Sequence, residues 1–414
     1  MTTTDEGTTR PATTAPTVRP DGLPAGVHLL HLVAPAAEEI AAGATPSAAF
    51  RALTDIDAEY LLERLGDTDL LGDPATRLGA YADQSSVRRV VIVAATGPVA
   101  ERLAAGGTAA PAAVASGADD PGPEAHDVLG YLAMDLELRD NTRTCGVELF
   151  TRVAHRGQGI GDALWRAATD VARAEGRSVV QAWVDHEPPA GDAEPIRPTR
   201  SEGAIARDAA ARFCTDRGLV LEQVERHSVL HVAGRERAWR GALDQARGWT
   251  APTDEIVTWV GATPEAELAH IAELMRRMST DVPLGGLDWE EEAWDAERVR
   301  TTEAARLASG HRTYLVSAVR DTTTRALVAF SKLTVPLGRP AAWQDETLVM
   351  KEHRGRRLGT VVKLVNQLAL LERFPDVERI HTWNAAENRH MLDVNHAVGF
   401  ELASLSGAWQ GPLR

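Results

Sequence analysis

One motif occurs twice in this chain, about 200 residues apart. The first copy reads Glu148-Leu149-Phe150-Thr151-Arg152-Val153-Ala154-His155-Arg156-Gly157-Gln158-Gly159-Ile160-Gly161. The second reads Glu346-Thr347-Leu348-Val349-Met350-Lys351-Glu352-His353-Arg354-Gly355-Arg356-Arg357-Leu358-Gly359. In each, a short strand-like run opening on an acid leads into His-Arg-Gly, a turn and an amphipathic helix. A duplicated strand–turn–helix unit implies two similar domains rather than one large one. Length agrees, because 414 residues exceed one ordinary core at ~150 residues per domain.

Composition narrows the class. Hydrophobic residues at 44% and charged residues at 25% are ordinary for a soluble globular chain. No apolar stretch is long enough to span a bilayer, and Met1 to Arg10 lacks a secretory pattern, so a cytoplasmic protein without membrane partners is expected. Cys145 and Cys214 alone provide neither a disulfide framework nor a zinc cluster, so no metal is expected. A net charge of −15 argues against a nucleic-acid partner and would draw cationic ligands, although solubility alone also accounts for it. Lysine occurs only at Lys332, Lys351 and Lys363, an arginine bias that suggests a GC-rich genome.

Residues 1–25, rich in Thr, Pro, Gly and Ala, read as a disordered tail. Strands are expected at Val27–Val33, Val87–Val93, Asp127–Leu136 and Val179–Val184, with helices around Ser47–Leu53, Ile56–Leu65 and Ala204–Arg217. Segments 105–125 and 187–203 read as flexible insertions. After a connector over 233–254, the order repeats: strand Ile256–Val260, helix Pro264–Met278, a hairpin across Asp321–Thr324, the second motif, then strand Arg379–Trp383 and a helix ending at Gly399-Phe400. The fold class is therefore α+β, twice: an N-terminal domain over 26–232 and a C-terminal domain over 255–414.

The turn is where chemistry enters. Glycines at Gly157, Gly159 and Gly161 let successive backbone N–H groups point at one spot, and the following helix adds positive potential. Such a cradle suits phosphate or pyrophosphate, with Arg156 adding charge; a plain strand-to-helix connection uses the same glycines.

Arg156-x-x-Gly159-x-Gly161 matches the Arg/Gln-x-x-Gly-x-Gly/Ala motif of the GNAT superfamily of acyl-CoA-dependent N-acetyltransferases. Asn384-Ala385-Ala386-Glu387-Asn388 through Gly399-Phe400 is similar to the family's closing segment beneath CoA. The tandem arrangement resembles an actinobacterial type also seen in mycothiol synthase. The resemblance implies two mixed, mostly antiparallel sheets flanked by helices, each splayed into a central cleft. It implies acetyl-CoA (or another acyl-CoA) as cosubstrate, a small-molecule amine as acceptor, and direct attack in a ternary complex by a monomer or homodimer. It places CoA on Thr151, Val153, Arg156, Gly157, Gln158, Gly159, Ile160 and Gly161 in the first half. In the second it places CoA on Leu348, Val349, Arg354, Gly355, Arg356, Arg357, Leu358, Gly359, Asn384 and Asn388.

Departures from the family pattern bear on mechanism. Arg357 replaces the middle glycine of the second cradle. The tyrosine that protonates the leaving thiolate in many members is absent; Asn395 and Cys214 stand in its place. Asparagine is no acid at neutral pH but donates hydrogen bonds, and a free cysteine is usually a core residue. An amine attacking a thioester needs a general base, and Glu148 and Glu346 share one register, either as bases or as solvated strand-edge carboxylates. Asp345 is the alternative inward residue, since strand neighbours face opposite ways. His155 and His353 are read as packing or capping residues. The run Asp288-Trp289-Glu290-Glu291-Glu292-Ala293-Trp294-Asp295-Ala296-Glu297 either holds a cationic amine or is a solvent-facing acidic helix start. The more complete ending favours a catalytic C-terminal half with Glu346 and Asn395. A non-catalytic acyl-CoA-binding regulator or a scaffold is the alternative.

Overall fold

The structure, a computed structural model, describes residues 22–105, 112–117, 122–191 and 194–413. Most of the tail assigned to residues 1–25, and parts of the 105–125 and 187–203 segments, lie outside the described residues. The first half contains β1 (His28–Val33), α1 (Ala37–Ala41), α2 (Ala48–Arg64), α3 (Pro74–Ala82), β2 (Val87–Ala95), α4 (Gly97–Ala104) and β3 (Ala112–Ala115). It continues with β4 (Val128–Glu137), β5 (Thr144–Thr151), α5 (Ile160–Ala174), β6 (Val179–His186), α6 (Ala209–Asp216) and β7 (Val220–His231). Helix α7 (Glu236–Arg247) leads into β8 (Asp254–Val260), α8 (Leu268–Asp281), α9 (Ala296–Leu307), β9 (Arg312–Asp321) and β10 (Leu327–Pro336). The chain closes with β11 (Ala341–Val349), α10 (Leu358–Arg373), β12 (Arg379–Ala385), α11 (Arg389–Val398) and β13 (Glu401–Pro412).

Local chemistry sets several boundaries differently from the periodicity. The two short helices expected around 47–65 are one, α2, because Ser47 caps it by accepting from the Phe50 N–H at 3.2 Å and no breaker follows. Helix α6 starts later than Ala204, where Asp208 accepts from the Ala211 N–H at 2.8 Å.

The two sheets are joined into one of 13 strands, ordered β3-β1-β2-β4-β5-β6-β13-β7-β12-β11-β10-β9-β8. Each half ends on a strand that enters the other: β13 lies between β6 and β7, while β7 pairs with β12 from Arg379↔His231 to Ala385↔Glu225. The exchange leaves no open edge between the halves. The seam also carries buried polar contacts, with His227 on β7 and His381 on β12 sharing a 2.9 Å hydrogen bond and His381 reaching Asp69 at 3.1 Å.

Helices cover both faces, and strand parity distributes the side chains. On β9, Tyr314 and Val316 pack under α8 and α9, whereas Leu315 joins the core beneath α7 and α10. Every residue of β10 is buried, as expected of a strand covered on both sides.

Each half contains a splay. Strands β11 and β12 pair in parallel only from Ala341↔Arg379 to Trp343↔His381, and β5 and β6 only from Thr144↔Val179 to Gly146↔Gln181. Beyond those pairs the strands separate into the expected central cleft. Leu348 and Val349 bond to Phe330 and Ala329 on one side and leave their other edge open to the cleft.

Candidate active site

The site begins at an irregularity. Strands β10 and β11 pair Ser331↔Thr347 but then Leu333↔Gln344, so β11 carries an extra residue opposite Lys332. Such a bulge re-aims side chains. Asp345 and Glu346, expected to face opposite ways, therefore reach the same face of β10. Lys332 Nζ lies 2.6 Å from Glu346 Oε2, and Thr334 Oγ1 donates to Asp345 Oδ2 at 2.5 Å. Glu346 is half-buried rather than a solvated strand-edge acid.

Charge separates the pair. Burial would raise Glu346, but the adjacent Lys332 ammonium holds it below the usual carboxylate range. Desolvation and the Glu346 charge push Asp345 up to about 6. Lys332 is itself desolvated, yet Glu346 and Asp345 raise it above the ordinary lysine value. The result is a fixed anion beside a carboxyl that titrates near neutrality.

Glu346 and Lys332 stand in the wall of a cavity of about 240 Å³ between the sheet and helices α8 and α9. Aromatic groups Trp259, Trp294, Tyr314 and Phe330 line it, with Glu292, Glu303 and Arg306 as further charges. Only part of the acidic 288–297 run reaches this space. Glu292 accepts from Trp294 Nε1 at 2.7 Å, and Arg298 sits over the Trp294 ring at 4.4 Å. Glu290 instead docks on Asn141 of the first half, and Asp295 caps α9 through the Arg298 N–H at 2.7 Å. The run is thus mainly a joint between the halves.

Past β11 lies the second cradle. Gly355 has φ +82°, and Arg357 takes the left-handed conformation, φ +54°, at the N-cap of α10. That conformation costs an L-residue of this type roughly 1 kcal/mol. The Arg357 guanidinium rests 5.1 Å from the Trp249 ring centroid. Arg356 pairs with Asp254 at 3.1 Å and donates to His353 Nδ1 at 2.6 Å, so His353 orients an arginine. Arg354 and Lys351 share Asp281, at 3.2 and 2.7 Å. Leu358 and Gly359 open α10 and are buried.

The first cradle has the same backbone, with Gly157 at φ +73° and Gly159 at +85° as the N-cap of α5. Its surroundings differ. The carbonyl oxygen of Gly22 lies where a Cβ on Gly159 would meet it at 2.6 Å, so the chain's own N-terminal segment crosses the loop beside Ile160 and Gly161. Arg156 pairs with Glu63 at 2.7 Å, and Gln158 donates to the Ala154 carbonyl at 3.2 Å. Thr151 ends β5, and Val153 follows it, exposed. The space matching the second-half cavity is filled: Arg77 pairs with Asp57 at 2.6 Å, Tyr131 donates to Asp57, and Tyr60 packs on Phe150 at 4.9 Å.

The closing segment supplies fewer free groups than expected. Asn395 is buried and donates to Asn384 Oδ1 at 2.5 Å. Asn388 spends its side chain as the N-cap of α11, accepting from the Met391 N–H at 3.3 Å. Cys214 is buried in the core of the first half, its thiol pushed up to about 12 by burial. Sequence reasoning missed Lys332, Arg306 and Tyr314 as cavity residues. One signal existed, because Lys332 is one of only three lysines in the chain.

Among the described residues no group of three or more His, Cys, Asp or Glu could hold a metal ion, and no helix is long and apolar enough to cross a membrane. Residues 114–190 match the acetyltransferase (GNAT) family. No curated protein matches the sequence. Among solved structures, a tandem GNAT protein from the clavulanic acid biosynthesis pathway superposes with TM-score 0.63 at 22% identity, covering 94% of this chain and 99% of that one. A GCN5-related N-acetyltransferase from Sphaerobacter thermophilus gives TM-score 0.56 at 13% identity, covering 95% and 97%. A glucosamine N-acetyltransferase region of a fungal multi-domain enzyme gives 0.53 at 12% identity, covering 94% of this chain and 38% of that one. The first half thus carries a segment, residues 114–190, that matches the GNAT acetyltransferase family, and the chain along nearly its whole length has the fold of a tandem GNAT protein.

Proposed function

We propose that the chain transfers an acyl group, from acetyl-CoA, to the amine of a small molecule by direct attack in a ternary complex, and that the second half performs the chemistry. The observation that carries this reading is the juxtaposition of the Asp345–Glu346 pair with the open edge of β11. Leu348 and Val349 would hold the pantetheine arm there as an added strand, and the backbone around Gly355 and Arg357 would receive the pyrophosphate. Asn384 and Asn388 have side chains already engaged, so in this reading they contribute through backbone and shape.

The amine would enter the cavity between α8 and α9. Its nitrogen forms the new C–N bond as the thioester C–S bond breaks. The ammonium proton passes to the carboxylate pair, directly or through a water, and CoA leaves as a thiolate that takes a proton from solvent. Glu346 stays ionised against Lys332, while Asp345 governs how much negative charge the pair carries. Because a base must be unprotonated and Asp345 is raised to about 6, kcat/KM should fall as pH drops through about 6. Asp345→Asn should remove that limb; a limb unchanged in the variant would place the base elsewhere.

The domains proposed are 26–232, a connector over 233–254, and 255–414. In this scheme the first half shapes the acceptor side rather than turning over, a reading supported by the Gly22 carbonyl across its cradle and by its filled cavity. Calorimetric titration of acetyl-CoA should give one site, lost in Arg354→Glu and kept in Gly159→Glu. Loss only in Gly159→Glu would move the chemistry to the first half. One observation favours the alternative of a non-catalytic acyl-CoA-binding protein: Asn395, in place of an acid, is buried and tied to Asn384. Absence of thiol release over a broad amine panel, with acetyl-CoA bound, would select it.

A further inference from the structure

The charged groups around the second-half cavity are not equally satisfied. Glu303 accepts from the Thr263 N–H at 2.7 Å and from its hydroxyl at 2.8 Å. Glu292 is held by Trp294 and by Arg298 at 3.7 Å, and Glu346 by Lys332 at 2.6 Å. Arg306, on the last turn of α9, lines the same cavity and is exposed, and among the described residues it forms no ion pair. It lies close to the buried Tyr314, whose phenol is one of the groups that favour its charged form. Arg312 also forms no ion pair among the described residues, and it projects on the same face of β9 as Tyr314, two residues away. In a chain of net charge −15, Arg306 and Tyr314 therefore line the same cavity as Glu346, and Arg312, a second arginine without an ion pair among the described residues, stands on the Tyr314 face of β9 beside it.

That arrangement is polar in a directed sense. A guanidinium presents a planar fork that matches a carboxylate, and it stays charged at all working pH values. The same cavity also presents the Glu346 carboxylate, which suits an ammonium. The volume of about 240 Å³ corresponds to roughly eight water-sized groups, enough for a small amino acid and too little for an extended polymer segment.

We propose that the acceptor is a small carboxylate-bearing amine, an amino acid or a close derivative, with Arg306, supported by the neighbouring Arg312, receiving its carboxylate while its amine faces Glu346. This rests on the second-half acyl-transfer reading above and adds the acceptor's chemical class to it. Arg306 and Arg312 thereby act as specificity-determining residues, with Tyr314 beside Arg306 in the cavity wall.

The test uses the full chain with acetyl-CoA and follows thiol release on matched acceptors: leucine, leucinamide and isoamylamine, then phenylalanine, phenylalaninamide and phenethylamine, with phosphoethanolamine as a phosphate-bearing probe. A charge-assisted hydrogen bond to the carboxylate is worth about 10- to 100-fold, so kcat/KM should favour at least one amino acid over its amide and its decarboxylated amine by that factor. Arg306→Gln should raise KM for the preferred amino acid by a similar factor and collapse its preference over the amine, and Arg306→Lys should restore part of it. A thermal melt of each variant separates misfolding from lost recognition, and Arg312→Gln supplies a second, independent variant. Equal or better turnover of the decarboxylated amines, or of phosphoethanolamine, would overturn the carboxylate assignment while leaving the acyl-transfer reading intact. No thiol release with any amine would overturn both.

Discussion

Glu346→Gln is expected to lower kcat by about 10²- to 10⁴-fold, the usual range for removing a positioned proton acceptor. The substitution keeps the size and one acceptor oxygen, but it removes the negative charge that faces the cavity and balances Lys332 at 2.6 Å. Two effects then act together. The attacking amine loses its proton acceptor, and an unbalanced Lys332 ammonium repels a cationic acceptor. Acetyl-CoA affinity should change little, because the groups proposed to hold CoA lie on the open edge of β11 and in the cradle. The check is steady-state thiol release beside calorimetric acetyl-CoA titration. A variant within a few-fold of the native kcat would remove Glu346 from the chemistry. Loss of acetyl-CoA binding would mean that the carboxylate shapes the cleft instead.

Lys363→Met should stabilise the protein at neutral pH, by about 3–5 kcal/mol if the full shift is realised. Lys363, on α10, is buried to 1% exposure, and its ammonium lies 5.6 Å from the Phe400 ring centroid with no carboxylate in ion-pair contact among the described residues. Burial alone lowers its pKa from 10.5 to about 7. Above about pH 10.5 both folded and unfolded chains carry a neutral amine, and burial exacts no ionic cost. Between about 10.5 and 7 the unfolded chain holds a proton that the folded chain does not, so the native protein loses stability as pH falls. Below about 7 both bind it, and the cost levels off. Methionine has no such term and fills a similar volume. Urea unfolding at pH 7 and at pH 10 should therefore give a large gain at the lower pH and a much smaller one at the higher. An equal gain at both would show that the amine is compensated in the folded state.

Much of this architecture is legible in the chain. The duplicated motif, the strand before each cradle and the helix after it all depend on local periodicity and turn chemistry, which act within a dozen or so residues. Glycine at positions 157, 159 and 355 carries its conformational reason openly, since all three adopt positive φ. Arg357 is the exception to that pattern, and the fold tolerates it by placing the guanidinium on Trp249.

Other features had no local signal. Trp183 and Trp383 occupy matching places in the repeat, yet Trp183 is 42% exposed and Trp383 stacks on His227 at 4.6 Å. Their environments differ because β6 neighbours β13 whereas β12 neighbours β7. Strand exchange of this kind joins residues nearly 150 or more positions apart, and no window along the sequence contains both partners. The bulge opposite Lys332 is similar: it arises from the pairing of two strands, so a strict alternation read from β11 alone assigns Asp345 and Glu346 to opposite faces.

The sequence by itself determined that an α+β unit is repeated, where each glycine-bearing turn between strand and helix falls, and that Cys214 and Asn395 stand at corresponding places in the two closing helices. Those features follow from residue type and spacing, which short-range sterics and backbone hydrogen bonding translate directly into shape. Tertiary structure alone decided that one sheet runs through both halves, that one carboxylate pair shares Lys332, and that a cavity opens beside Glu346 in the second half. These depend on side chains distant in sequence competing for the same buried space, and packing settles that competition only once the whole chain has folded.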